Sequence, residues 1–214
     1  MSTKAYVTGV GMVPFQKPGA SESYDVMAAK ATRSALQDAG VSYDLIQQAY
    51  VGYVYGDSTC GQRALYQVGM TGIPILNVNN NCSTGSSALF LARQAVESGA
   101  AECVLALGFE QMKPGAIGSV FEDRVSPFQS FDDETDDLVG SPEIPLALRY
   151  FGGAGKAHMD EFGTTLETFA KIRAKSSRHA AKNPVALFRT EVTAEEVLAA
   201  KVVWPGVMTR LMAC

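Results

Sequence analysis

The stretch LNVNNNCSTGSSALFLARQAVESG, residues 76–99, places one cysteine between a run of asparagines and a run of Ser, Thr and Gly. The apolar residues before the cysteine are typical of a buried strand, and the amphipathic pattern after it predicts a helix over residues 84–98. Cys82 is therefore predicted to lie on a turn between a strand and a helix. In a parallel α/β sheet, such turns lie at the edge where ligands bind.

The same alternation of apolar strands and helices extends over the surrounding sequence. Gly40 is placed to end the first helix, because glycine tolerates the left-handed conformation that closes many helices. Strands that alternate with helices indicate a largely parallel sheet covered on both faces, and hence an α/β fold. The predicted strands are residues 5–10, 48–54, 73–78 and 102–109, and the predicted helices are residues 21–39, 61–70 and 84–98.

The pattern changes in the next part of the chain. Residues 111–163 are punctuated by Pro and Gly and show no strand alternation, so we interpret them as an insertion. The acidic run from Asp132 to Asp137 within it is predicted to be a solvated surface loop. Two helices are predicted further on, each from a capping box in which a Thr and a Glu cap the first turn. The two pairs are Thr164 with Glu167 and Thr193 with Glu196.

Composition excludes several classes of protein. The formal net charge of −4 argues against a globally basic nucleic-acid binder. No apolar run approaches the roughly 18–20 residues that a membrane span needs. The four cysteines lie far apart without a Cys-x-x-Cys pair, and there are only two histidines, which supports neither a zinc site nor a disulfide framework. We therefore expect a reducing compartment and no metal.

Two features of the turn at Cys82 favour a reactive thiol. The first turn of a helix presents unpaired N–H groups and a partial positive charge, and both stabilise a thiolate over a thiol. The same N–H groups suit a developing oxyanion, and the small residues 83–87 leave room for a bulky acyl group. A cysteine at such a junction is also common as packing, so the local pattern leaves a nucleophile and a structural role both open.

Longer motifs carry a resemblance to a known family. VNNNCSTGSSA (residues 78–88) resembles the nucleophile motif of thiolases, and LGFEQM (107–112) is similar to the Gly-x-Glu-x-Met segment on their next strand. Residues 51–90 resemble more closely the thiolases of the sterol carrier protein type. Residues 152–165 and 169–184 continue that likeness, so it covers essentially the whole chain.

The resemblance implies a fold and a domain division. Thiolases contain two similar layered α/β halves, with a mainly helical loop domain inserted in the first, and they form homodimers or tetramers. Residues 1–112 match most of the first half, 113–190 the loop domain, and 191–214 a truncated return into the first half. The resemblance thus implies the thiolase fold, incomplete, with a homodimer or a partner chain that supplies the missing half.

The resemblance also implies a reaction. In thiolases a cysteine thiolate attacks the 3-keto carbon of a 3-oxoacyl-CoA, acetyl-CoA or propionyl-CoA leaves, and the acyl group passes to free CoA. Cys82 matches the acyl-carrying cysteine, and CoA acts as a substrate with no further cofactor. The implied substrates include methyl-branched and sterol side-chain acyl groups. Thiolases of this type are peroxisomal in eukaryotes and cytoplasmic in bacteria.

Part of the family's catalytic set has no counterpart in this sequence. The activating histidine, an Asn/His loop and a second cysteine come from the C-terminal half of thiolases, whereas His158 and His179 match loop-domain positions. We expect little turnover from this chain alone, since each missing group costs roughly 10²–10⁴-fold. Two alternatives stay open: a partner-dependent steroid side-chain aldolase subunit, and a non-catalytic fragment that binds lipid, CoA or a full-length protomer.

A basic stretch offers candidate contacts to CoA. The loop domain of thiolases holds the CoA nucleotide, and residues 171–189 contain six Lys and Arg side chains and no acidic one. A solvated helix face is the alternative explanation for such residues. The candidates for contact with the CoA phosphates are Arg173, Lys175, Arg178 and Lys182.

Overall fold

The structure is a computed structural model, and it describes residues 4–113 and 121–213. The chain divides into two compact units, Met1–Pro114 and Gly115–Cys214. The first unit contains a parallel sheet with helices, and the second is mainly helical. The finer domain limits that the sequence predicts, 1–112, 113–190 and 191–214, stay predictions.

A parallel three-stranded sheet forms the centre of the first unit. Its strands are β1 (Gln48–Gly52), β2 (Ile75–Val78) and β3 (Val104–Gly108). The strand order is β2–β1–β3, so the first of these strands in sequence lies in the middle. Ala49 of β1 pairs with Ile75 on one side and with Leu105 on the other. These strands confirm three of the four predicted ones.

Helices cover both faces of this sheet. They are α1 (Tyr24–Ala39), α2 (Cys60–Leu65) and α3 (Thr84–Glu97), with a short 3₁₀ turn at Tyr43–Leu45. On one face, Val51 and Leu107 pack into a core with α1 and α2. On the other face, Tyr50 packs against Ala88 and Ala92 of α3. Successive side chains of a strand point to opposite faces, so β1 contributes to both cores. The predicted α/β class and the covered parallel sheet are confirmed.

The predicted strand at residues 5–10 is wrong. The segment pairs with no strand in the part of the chain that the structure describes, and Tyr6 and Val7 are 79% and 74% exposed. It runs instead along α1, where a Cβ added to Gly9 would come within 2.5 Å of the Ala35 carbonyl oxygen. A strand is held by backbone hydrogen bonds to a neighbouring strand, and an apolar pattern alone does not supply that neighbour.

Asp25 joins the start of α1 to α2 and the residues that follow it. Its carboxylate accepts hydrogen bonds from Arg63 Nε at 3.1 Å and from Gln67 Nε2 at 2.6 Å. The Asp25 side chain is 12% exposed, against 68% for Arg63. A hydrogen bond from Ser23 and, less strongly, the Arg63 guanidinium hold the pKa of Asp25 below its ordinary value, while burial opposes them.

Replacing Asp25 with asparagine is expected to lower the free energy of unfolding of the first unit by about 1–2 kcal/mol at pH 7. A carboxylate whose pKa falls on folding stabilises the fold above its unfolded pKa of about 3.9, and this contribution is lost as pH falls through the folded value. Urea unfolding should therefore show the two proteins converging as the pH falls below the unfolded pKa of about 3.9. Glu22→Gln, which removes an exposed ion pair with Lys30, is the control. A difference that persists undiminished in acid would contradict the assignment.

The described part of the second unit consists of helices and one small antiparallel hairpin. The elements are α4 (Gln129–Val139), α5 (Leu146–Phe162), α6 (Leu166–Ala181), α7 (Ala194–Ala199), β4 (Val202–Trp204) and β5 (Met208–Thr209). Gly152 of α5 lies against the ring of Trp204, and Thr209 Oγ1 donates a hydrogen bond to the Val197 carbonyl at 2.6 Å. The hairpin thus packs on α5 and α7. No helix in the described ranges is long and apolar enough to cross a membrane.

The acidic run from Asp132 to Asp137 lies within α4, so its prediction as a surface loop is wrong. Asp132 accepts a hydrogen bond from the Tyr150 hydroxyl, and Asp136 forms an ion pair with Arg149. Burial and this hydrogen bond to Asp132 raise the pKa of Tyr150 to about 12. Asp132 and Asp136 thus have partners on α5, which the local sequence does not show.

The two predicted capping boxes have different outcomes. The box at Thr193 and Glu196 is confirmed, since each side chain bonds to the backbone N–H of the other at the start of α7. α6 begins after Thr165, whose side chain makes no capping hydrogen bond, so the box predicted at Thr164 and Glu167 is wrong.

Candidate functional site at the carboxyl edge of the sheet

Cys82 is exposed on the turn between β2 and α3. The strand ends at Val78 and the helix begins at Thr84, so the thiol stands just before the helix N-terminus. Because the carboxyl ends of parallel strands lie at one edge of a sheet, this turn shares an edge with the segments after β1 and β3. The structure places Cys82 where the sequence predicts the turn, and its chemical role stays a prediction.

Each of the three asparagines before Cys82 contributes differently to the turn. Asn79 Oδ1 accepts a hydrogen bond from the Asn81 N–H at 3.2 Å, and Asn80 Nδ2 donates to Ser87 Oγ at 2.9 Å. Asn81 adopts the left-handed conformation with φ at 46°, which asparagine tolerates better than most residues. The polar run therefore shapes the turn that carries the thiol.

Thr84 closes the same turn from the helix side. Its hydroxyl accepts a hydrogen bond from the Asn80 N–H at 2.8 Å and donates one to the Asn81 carbonyl at 2.5 Å. The residue is 5% exposed. Its methyl group lies close to the end of β1, where a Cβ on Gly52 would be 2.6 Å from Thr84 Cγ2. The first turn of α3 therefore packs directly on the middle strand.

Glu110, which follows β3, supports the neighbouring loop. Its carboxylate accepts hydrogen bonds from the N–H groups of Val54 at 2.9 Å and Tyr55 at 3.2 Å, just after β1. Hydrogen bonds from backbone N–H groups to a carboxylate are stronger than neutral ones. The signal for this residue in the sequence is the LGFEQM motif, which does not by itself show that Glu110 makes this contact.

The residues on either side of Glu110 hold the start of α1. Gln111 Oε1 accepts a hydrogen bond from the Tyr24 N–H at 3.0 Å, which satisfies one of the free donors of that helix. The Phe109 ring stacks on the rings of Tyr24 and Tyr53, with centroids 5.0 and 5.1 Å apart. Residues 109–111, which follow β3, therefore contact both the start of α1 and the loop after β1 at the carboxyl edge of the sheet.

A cavity of about 530 Å³ lies beside these loops. It is lined by residues 55–60 after β1 and residues 109–113 after β3, together with Tyr24 and Arg63. A hydrogen bond with the buried Cys60, together with burial, raises the pKa of Tyr24 to about 12, so its phenol stays protonated at neutral pH. Cys82 does not line this cavity, so the volume does not define a site for the thiol.

The four candidate CoA contacts lie in the second unit, on α6 or just after it. Lys175, Arg178 and Lys182 are exposed, and their spacing of three and four residues puts them on one helix face. Arg173 lies on the opposite side, is half-buried, and donates from Nε to the Leu211 carbonyl at 2.9 Å. The structure brings three of the four candidates together and gives Arg173 a contact within the fold.

Both histidines also belong to the second unit. His158 of α5 stacks on Phe162 with ring centroids 4.8 Å apart, and His179 lies in the last turn of α6. The first unit has no histidine in its sequence, so it offers Cys82 no imidazole base of its own. Within the described ranges, no group of three or more His, Cys, Asp or Glu side chains is placed to hold a metal ion.

The sheet and the turn define a class of protein: a layered α/β protein with an exposed cysteine where a parallel strand passes into a helix. Comparison with protein families narrows this class, because residues 4–202 match the family described as Thiolase, N-terminal domain. The chain belongs to the thiolase family. The resemblance carried by its motifs is thereby confirmed.

Individual relatives agree with this assignment. The human protein named Sterol carrier protein 2 is 50% identical over 214 residues, which cover 99% of this chain and 39% of the human protein. The Thauera aromatica protein named Benzoylsuccinyl-CoA thiolase subunit BbsB is 32% identical over 95% of this chain and 50% of its own length. The chain thus spans half or less of the length of these relatives.

A solved structure described as Ltp2-ChsH2(DUF35) aldolase shares the fold. It superposes with a TM-score of 0.73 over 100% of this chain and 52% of that chain, at 19% sequence identity. At this identity the likeness concerns the fold alone. The predicted α/β thiolase fold is confirmed, with this chain forming part of it.

Proposed function

We propose that Cys82 is the acyl-accepting nucleophile of a thiolase-type acyltransferase that cleaves 3-oxoacyl-CoA. The observation that carries the proposal is an exposed thiol just before α3, on a turn held by Asn80, Asn81 and Thr84. Free N–H groups at a helix start stabilise a thiolate. Donors of this kind also stabilise the oxyanion that forms when a thiolate attacks a carbonyl.

The proposed reaction has two steps. In the first, the Cys82 sulfur bonds to C3 of the substrate, the C2–C3 bond breaks with its electron pair on C2, and C2 takes up a proton. Acetyl-CoA or propionyl-CoA leaves, and the acyl group stays on the cysteine. In the second, a base takes the proton of the CoA thiol, its sulfur accepts the acyl group, and the thiolate returns. We assign the base and the proton donor to residues outside the first unit, which has no histidine.

The exposed basic face of α6 is the proposed contact for the CoA phosphates. Lys175, Arg178 and Lys182 would offer three positive charges on one side of the helix. CoA is a substrate in this scheme, and no further cofactor takes part. The proposed substrates include branched and sterol side-chain acyl groups, and the name Sterol carrier protein 2 of a relative supports the sterol side-chain ones.

The proposed assembly is a homodimer, or a complex in which another chain or segment completes the site. The second form is supported by the share of the relatives' length that this chain spans, 39% and 50%. The corresponding location is peroxisomal for a eukaryotic source and cytoplasmic for a bacterial one.

A non-catalytic role is the second candidate. The lack of a histidine in the first unit and the relative's name, Sterol carrier protein 2, favour a chain that binds lipid, CoA or a longer thiolase. In that case Cys82 stays unacylated. A partner-dependent aldolase, whose chemistry needs no acyl-cysteine, leads to the same expectation.

Incubation of the purified chain with acetyl-CoA, followed by intact mass measurement and peptide mapping, tests the proposal. We expect one acetyl group on Cys82 and none on the Cys82→Ser variant. Cys103→Ser, which removes a half-buried thiol just before β3, is the matched control and should be labelled like the wild type. A folded chain that is alkylated at Cys82 by iodoacetamide but takes no acetyl group there would contradict the nucleophile assignment.

A further inference from the structure

The Thr84 hydroxyl bridges the two residues that precede Cys82. It accepts a hydrogen bond from the Asn80 N–H at 2.8 Å and donates one to the Asn81 carbonyl at 2.5 Å. The backbone N–H of Thr84 donates to the same carbonyl at 3.0 Å. The hydroxyl therefore uses its single proton and one lone pair in the turn, and it cannot rotate without losing at least one of the two bonds.

This bridge fixes the peptide from which Cys82 extends. The Asn81 carbonyl and the Cys82 N–H belong to one planar peptide unit, so holding the carbonyl also sets the direction of the N–H. Asn81 lies in the left-handed region at φ 46°, a conformation that persists only where surrounding contacts hold it. Without the bridge, Asn81 can relax toward a commoner conformation and carry the thiol away from the helix start.

Packing in turn holds the Thr84 side chain. The residue is 5% exposed, and its Cγ2 lies beside Gly52 on the middle strand. Threonine in a helix divides between two χ1 rotamers, so a fixed position for the methyl group selects the position of the hydroxyl. The methyl group and the hydroxyl thus have separate tasks, and single substitutions can separate them.

We propose that Thr84 is a positioning residue for Cys82. Its methyl group anchors the side chain on β1, and its hydroxyl holds the turn so that the thiol stays at the N-terminus of α3. The proposal rests on the function proposed for Cys82. It gives Thr84 no contact with the substrate.

Two variants test the methyl group and the hydroxyl of Thr84 separately. Thr84→Val keeps the methyl group and loses the hydroxyl, and Thr84→Ser keeps the hydroxyl and loses the methyl group. Alkylation of Cys82 by iodoacetamide is measured against pH by peptide mapping, together with hydrogen exchange of the turn amides. We expect valine to slow alkylation of Cys82 roughly tenfold at neutral pH, because the thiol is no longer held at the start of α3. Valine should also speed exchange of the Asn80 N–H, while serine, which keeps the hydroxyl without the methyl anchor, should lie between valine and the wild type.

Ser86→Ala is the matched control, because it removes an exposed hydroxyl from the same helix, and it should change neither measurement. If the valine variant does not fold by circular dichroism, Thr84→Ala removes the hydroxyl in a smaller side chain. A folded variant without the hydroxyl that matches the wild type in both measurements overturns the proposal, as does a serine variant that behaves like valine.

The same experiment separates the two proposals. If wild-type Cys82 reacts no faster than free cysteine, while loss of the Thr84 hydroxyl still speeds exchange in the turn, the positioning role stands. The function proposed for Cys82 then fails. If Cys82 is activated but insensitive to the Thr84 hydroxyl, the positioning role fails and the nucleophile stands.

Discussion

The 214-residue chain alone is expected to cleave 3-oxoacyl-CoA at least about 10⁴-fold more slowly than a complete thiolase assayed beside it. Multiple turnovers need a base for the CoA thiol and a proton donor for the departing carbanion, and each such group is worth about 10²–10⁴-fold. The first unit, which carries Cys82, has no histidine. Acylation by a 3-oxoacyl-CoA also needs the proton donor, so at most one slow acyl transfer per chain is expected, without sustained turnover.

The assay follows loss of the 3-oxoacyl-CoA and formation of acetyl-CoA or propionyl-CoA, the product released when the cysteine is acylated, with Cys82→Ser as the blank. Release of at most one product per chain, followed by a rate near that of the blank, is the expected result. Sustained turnover that depends on Cys82 would contradict it. The base would then have to come from this chain, and His158→Gln and His179→Gln would show which histidine supplies it.

The sheet of the first unit could be predicted because each signal for it is local. A short apolar run flanked by helical patterns predicts β1, β2 and β3, and each of them formed. Gly40 ends α1 at φ 67°, as a glycine just after the last amphipathic turn predicts. These signals lie in neighbouring residues and do not depend on the order of the strands in the sheet.

Two of the segments whose predictions were wrong depend on partners distant in sequence. Residues 5–10 have the composition of a strand but no neighbour to pair with in the described chain. The acidic run of α4 has the composition of a loop, yet Asp132 and Asp136 contact Tyr150 and Arg149 of α5. Composition shows which secondary structure a segment can adopt, and contacts with residues distant in sequence decide which one forms.

The candidate site also combines features that local sequence predicts with contacts that it does not. The position of Cys82 follows from the strand, the turn and the helix, all within residues 76–99. Hydrogen bonds within residues 79–87 hold the turn, but its packing involves a longer separation, Thr84 against Gly52. Glu110, also distant in sequence, holds the neighbouring loop after β1. Sequence reasoning identified the nucleophile candidate but not the residues that position it.

Replacing Gly52 with alanine is expected to lower the free energy of unfolding of the first unit by about 2–3 kcal/mol. The added Cβ would lie 2.6 Å from Thr84 Cγ2 and 3.0 Å from the Thr84 carbonyl oxygen. Gly52 ends the middle strand, which β2 and β3 hold on either side, so the strand has little room to move. The strain must then displace α3. Urea unfolding followed by circular dichroism measures the loss.

Two further variants test whether this close approach is the cause. Gly85→Ala is the matched control: a Cβ there meets nothing within 4 Å, and alanine is the better helix former by about 0.5–1 kcal/mol. Thr84→Ser in the Gly52→Ala background removes the clashing methyl group, so we expect a coupling of about 1 kcal/mol between the two sites. A stable Gly52→Ala variant, or no coupling, would mean that α3 is not held against β1. Because Cys82 stands at the start of that helix, acyl capture should fall in Gly52→Ala and return in part with Thr84→Ser.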